Sequence, residues 1–117
     1  NVVEITVQPP ITNNIITLPF TKVFCQSGDP DVITGALPTG GDMVTYNYQW
    51  QQSTTGPSSG YANIPGATLQ NYDPPLLTTT TWYRRIVTSG TCTDISAFSA
   101  ITVYPYPLLT SFSTTIR

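Results

Sequence analysis

Few residues in this chain are able to do chemistry: two cysteines, Cys25 and Cys92, an adjacent pair of arginines, Arg84-Arg85, six acidic residues and no histidine. Without histidine, neither a Ser–His–Asp nor a Cys–His arrangement can be assembled, and a zinc site of His and Cys ligands is excluded as well. A glycosidase-type pair needs two carboxylates that face each other. The acids here stand mostly in turns, and none stands beside another in a strand. Asp29-Pro30-Asp31 and Asp42 could offer oxygens to Ca²⁺. A turn rich in Asp and Pro accounts for them equally well. The inventory points away from catalysis, from a metal and from a cofactor. It favours a protein that acts by its shape or by binding.

Three groups of side chains remain to be placed. The cysteines, in a Thr-rich chain with one lysine, suggest an oxidising compartment and one disulfide, Cys25–Cys92. Closing so long a loop is worth roughly 4 kcal/mol. The bond requires Cys25 on an edge segment running toward the last hairpin, because bonded Cα atoms lie within about 7 Å. Two free thiols, or bonds to neighbouring units, are the alternatives. Arg84 and Arg85 are adjacent in a strand and must point to opposite faces. One shares a face with Trp82 and Ile86, the other with Tyr83 and Val87. At least one guanidinium therefore stacks on aromatic rings, as a structural arginine held by a carboxylate or loop carbonyl. The ligand-binding alternative makes Tyr61, Trp82, Arg84 and Arg85 contacts for a glycan or an anion. Finally, Tyr46, Tyr48 and Trp50 fall on one side of an alternating run. With Tyr83 they are expected to fill the core.

The elements that must carry these residues follow from period-two alternation. Val44 to Gln51 alternates apolar and polar, a strand with one dry and one wet face. Thr81 to Thr88 is a second strand and Ala97 to Tyr104 a third. Ser89-Gly90-Thr91 between them predicts a hairpin. Asp31 to Ala36 and Ala67 to Tyr72 read as shorter strands, and Ser53 to Gly60 as a polar loop. Pro74-Pro75 closes the strand before it, since proline cannot donate to a ladder. No helical periodicity appears. Strands this short, divided by turns, predict an all-β, immunoglobulin-like antiparallel β-sandwich of about seven strands.

In order along the chain come Cys25-Gln-Ser-Gly-Asp29-Pro30, Tyr46-Asn-Tyr-Gln-Trp50-Gln-Gln-Ser53, Ile64-Pro-Gly-Ala-Thr68, Tyr72-Asp-Pro74, Leu77, Thr81-Trp-Tyr-Arg-Arg85, Ser89-Gly-Thr-Cys92 and Ile101-Thr-Val103. This order resembles the Ig-like repeats of large surface adhesins of Bacteroidetes bacteria, including gliding-motility adhesins and proteins of the type IX secretion route. The likeness covers about residues 20–104. Trp82 departs from it, at a place where Tyr is commoner. The resemblance implies a sandwich fold, export to the cell surface and no catalysis. It names no ligand.

Composition sets the remaining bounds. The 117 residues suffice for one domain. Charged residues are 9% of the chain, against about 25% in an average domain. Threonine and serine, 21 and 9 of them, take their place. Four basic residues against six acids give a net charge of −2, too few cations on one face for nucleic acid. No apolar run is long enough to cross a membrane. With no histidine, stability should be almost flat between about pH 6 and 8.

Ile5-Thr-Val-Gln-Pro9 returns as Ile101-Thr-Val-Tyr-Pro105, 96 residues further on, the offset expected of tandem units. Residues 1–10 then read as a strand or linker shared with a preceding repeat, 11–105 as the sandwich, and 106–117 as a linker or the start of the next unit. The expected partners are neighbouring repeats of the same polypeptide or filament, or surface glycans. The expected function is a spacer in an exported adhesin. A carbohydrate-binding module and a strand-donating filament subunit are the alternatives.

Overall fold

A computed structural model describes residues 3–105. Among the described residues there is no helix. Eight strands follow one another: β1 (Ile16–Thr17), β2 (Val23–Cys25), β3 (Thr34–Gly35), β4 (Asn47–Ser53), β5 (Ala62–Asn63), β6 (Thr81–Ser89), β7 (Cys92–Ile95) and β8 (Ser99–Tyr104). The larger sheet runs β2-β8-β6-β4-β5, with β7 also paired to β6. The second layer is the β1–β3 pair, extended by single bridges at Thr12–Thr39, Ile33–Tyr72 and Gly28–Leu77. The fold is therefore all-β and sandwich-like, with one regular layer and one largely irregular layer. Between them Trp50, Tyr83, Ile101 and Val103 from the large sheet pack with Ile33, Ile64, Ala67 and Leu77.

β6 organises the molecule. Its inward residues Thr81, Tyr83, Arg85, Val87 and Ser89 are buried, and the residues between them are half-buried. It pairs along all of β4, from Asn47–Thr88 to Ser53–Trp82. On its other edge it meets β7 first, at Ile86–Ile95 and Ser89–Cys92, and then β8, at Tyr83–Ser99 and Thr81–Ile101. The expected hairpin is present, turned by Gly90 at φ 61°, but its return strand is interrupted. Between Ile95 and Ser99 the register slips by one residue, a bulge. A one-residue slip exchanges the faces. Ile95 therefore points outward, exposed, whereas Ile101 points inward and is fully buried.

Several expectations need correction. Val44 lies before β4 in an exposed loop, since Asp42 accepts hydrogen bonds from the Val44 and Thr45 amides and holds that segment as a turn. Ala67 to Tyr72 is not a strand. Only Tyr72 bridges, to Ile33, while the Ala67 carbonyl turns in to accept the Trp50 amide. The sheet is not wholly antiparallel: the chain crosses from β1 at Pro19 and lays β2 parallel to β8.

That crossing also rules out the Cys25–Cys92 bond within one domain. Both thiols are free. Cys25 stands beside Tyr104 at the end of β8, which lies at the Thr81 end of β6. Cys92 stands beside Ser89 at the other end. Thr81 to Ser89 alone spans roughly 26 Å at about 3.3 Å per residue, far beyond disulfide reach. β2 runs away from the hairpin, where the bond required it to run toward it. The proposed linker at 106–117 lies outside the described residues.

Candidate functional site

The most elaborate polar arrangement surrounds Arg85, which is 0% exposed. Its Nε donates to Asn14 Oδ1 at 3.0 Å, and its two terminal nitrogens donate to the carbonyls of Gln70 at 2.9 Å and Ala36 at 2.8 Å. The guanidinium also lies 4.8 Å from the Tyr48 ring centre and 6.0 Å from that of Trp50. Among the described residues no carboxylate touches it directly. Asn14 relays instead, donating from Nδ2 to the Arg85 carbonyl and to Asp94 Oδ2 at 3.0 Å. Burial lowers the Arg85 pKa from its ordinary value, with the nearby Tyr48 opposing. The chain makes room for the group at Gly35, where any Cβ would overlap the guanidinium. The bulge adds to the site, since Ser96 Oγ accepts the Arg85 amide at 2.8 Å. This arrangement ties β6 to the second layer and leaves no donor turned to solvent, so it is a structural clamp.

Arg84 faces outward. It stacks 4.0 Å from the centre of the Tyr61 ring and donates from Nε to Gln51 Oε1 at 2.7 Å. Gln51 donates in turn to Asn63 Oδ1. Trp82 lies half-buried on the same face. Burial raises the Tyr61 pKa, with the Arg84 charge opposing. The outer face thus brings Tyr61, Trp82 and Arg84 together, while Arg85 is on the other side of the sheet. Of the residues expected in the core, Trp50 and Tyr83 are fully buried, whereas Tyr46 and Tyr48 are only half-buried. The Tyr83 hydroxyl has no hydrogen-bond partner among the described residues.

At the hairpin end the N-terminal segment is fastened to the domain. Gln8 Oε1 accepts the Thr91 amide at 3.0 Å and the Thr91 hydroxyl at 3.1 Å. The Pro9 carbonyl accepts the Gly41 amide at 2.8 Å. Cys92 Sγ lies 3.8 Å from Gln8 Oε1 and 3.6 Å from the Pro9 carbonyl. In the same loop Ser89 Oγ donates to Asp42 Oδ1. The Thr45 and Val44 amides, with Ser89, hold the Asp42 pKa below the usual carboxylate value.

Sequence reasoning missed Asn14, Gly35 and Gln8. Asn13-Asn14 carries only a turn preference, and nothing local marks Gln8, because both act on residues more than seventy positions away.

The domain is two-layered and all-β, with a packed core between the layers and one polar, aromatic outer face. The chain belongs to the family described as a domain of unknown function (DUF8696), whose family model matches residues 14–105. No curated protein and no solved structure matches the chain.

Proposed function

We propose that this domain is a non-catalytic structural repeat of an exported cell-surface adhesin or filament, a spacer that holds a distal part of its protein away from the cell. One observation supports the reading: the chain enters and leaves the domain at opposite ends of the sheet. Gln8 and Pro9 sit against the β6–β7 turn and the Gly41 loop, while Tyr104 and Pro105 leave β8 beside Thr80 and Leu77 at the far end. Units linked this way extend in line. The Ile-Thr-Val-x-Pro pattern at both ends supports the same arrangement, and the low charge keeps stacked units from repelling one another. Pro9-Pro10 restrict φ and remove donors, which stiffens the link. The test is the flanking reading frame. Further Tyr-x-Trp…Arg-Arg units before Asn1 and after Arg117 are expected. Unrelated sequence on both sides would refute the reading.

The outer face supports a second reading, a carbohydrate-binding module. Arg84 there stacks on Tyr61 beside Trp82 and contacts no carboxylate among the described residues. Glycan binding abolished by Tyr61→Ala and Arg84→Ala would favour it over the spacer.

A further inference from the structure

We propose that oxidation links consecutive units through their cysteines, Cys92 of one unit bonding to the counterpart of Cys25 in the unit before it. The inference rests on the tandem reading above. Within one unit the two thiols are at opposite ends of the sheet and cannot meet. At a joint, both lie beside Gln8.

Ile5 and Val7 are 83% and 84% exposed, whereas Ile101 and Val103, in the matching positions, are 0% and 6% exposed. Residues 3–7 thus carry the apolar alternation of β8 without a sheet to bury it. The sheet of a preceding unit supplies the missing partners, with Ile5 and Val7 between that unit's β2 and β6. In that register Gln8 takes the place of Tyr104. Tyr104 stands directly opposite Cys25 in the parallel β2–β8 pair, and its carbonyl accepts the Gln26 amide at 2.6 Å. The preceding unit's Cys25 counterpart therefore lies one strand spacing, about 4.8 Å, from the Gln8 backbone. Cys92 of the following unit is already in contact with Gln8 and Pro9. Both thiols thus flank the same residue, and the bond requires the joint to bring their Cα atoms within the roughly 7 Å that a disulfide spans.

An external disulfide, R–S–S–R, is the oxidant. The Cys25 thiolate attacks one of its sulfurs and expels R–S⁻. The Cys92 thiolate then attacks the protein sulfur of the mixed disulfide and expels the second R–S⁻. Two thiol protons leave with two R–SH, and the two electrons reduce R–S–S–R. The bond places a covalent link across each joint, so load passes between units without relying on Gln8 alone.

The test is a two-unit protein, residues 1–103 followed directly by 8–117, oxidised with glutathione disulfide at low protein concentration and mapped by mass spectrometry under non-reducing conditions. One linked peptide pair is expected, joining Cys25 of the first unit to Cys92 of the second, with the other two thiols still alkylated. Cys25→Ser should abolish the bond when placed in the first unit and leave it intact in the second. A folded, elongated two-unit protein in which all four thiols are alkylated overturns the disulfide alone. A compact or freely hinged one with no bond overturns the tandem reading with it. A bond found only between separate molecules also overturns the proposal.

Discussion

Replacing Arg85 should unfasten the two layers from each other. Arg85→Met keeps the aliphatic stem against Tyr48 and Trp50 and removes the guanidinium. Three acceptors then lose their donor: Asn14 Oδ1, the Gln70 carbonyl and the Ala36 carbonyl. A buried polar group left without a partner costs about 1–3 kcal/mol. The two carbonyls are only partly buried, so the lower end applies and the total comes to about 3 kcal/mol. Arg85→Lys keeps the charge, but one ammonium cannot span three acceptors held in a planar fork. With two acceptors unpartnered it should cost about 2 kcal/mol. Against a domain stability of roughly 5–15 kcal/mol, either loss shows clearly in urea unfolding followed by tryptophan fluorescence. Unfolding of both variants within about 0.5 kcal/mol of the parent, the scatter ordinary for surface substitutions, would refute the clamp.

Other outcomes follow from the same interior. Trp50→Ala empties a fully buried site and removes a hydrogen bond to the Leu69 carbonyl, so a loss of about 3–5 kcal/mol is expected by the same unfolding assay. Tyr83 is fully buried, and burial raises its pKa well above the ordinary tyrosine value. Its contribution is present below about pH 10 and is lost as pH rises further, because the unfolded chain ionises while the folded one does not. Melting temperature should stay level from pH 6 to 8 and fall above about pH 10, and Tyr83→Phe should reduce that fall. Since the Tyr83 hydroxyl has no hydrogen-bond partner among the described residues, this variant should be no less stable than the parent at neutral pH.

Much of the large sheet was legible because alternation is a local property. The nine-residue run of β6 sends Arg84 and Arg85 to opposite faces, and period two alone requires that. The core tryptophan of β4 was legible for the same reason. What was not legible depends on pairing. The bulge near Ser96 changes which parity faces inward, so Ile95 and Ile101 look alike in sequence and differ completely in burial. The parallel placement of β2 is set by the crossing from β1, and no residue between Leu18 and Lys22 announces its direction. That one unread element overturned the intradomain disulfide. The clamp around Arg85 was half-visible. A stacked arginine followed from its neighbours, but its acceptors, Asn14, Ala36 and Gln70, come from three distant segments that only the folded chain assembles. The second layer was least legible, being mostly backbone bridges with little side-chain pattern behind them.

The proposed spacer role requires units that join end to end as a semi-rigid rod. Small-angle X-ray scattering from the two-unit protein, compared with the single unit, tests it most directly. An elongated particle is expected, whose longest dimension grows by nearly one unit length and whose profile fits one fixed joint with Gln8 seated on the β6–β7 turn. A compact particle with the units side by side, or a profile that only freely hinged units can fit, would contradict it.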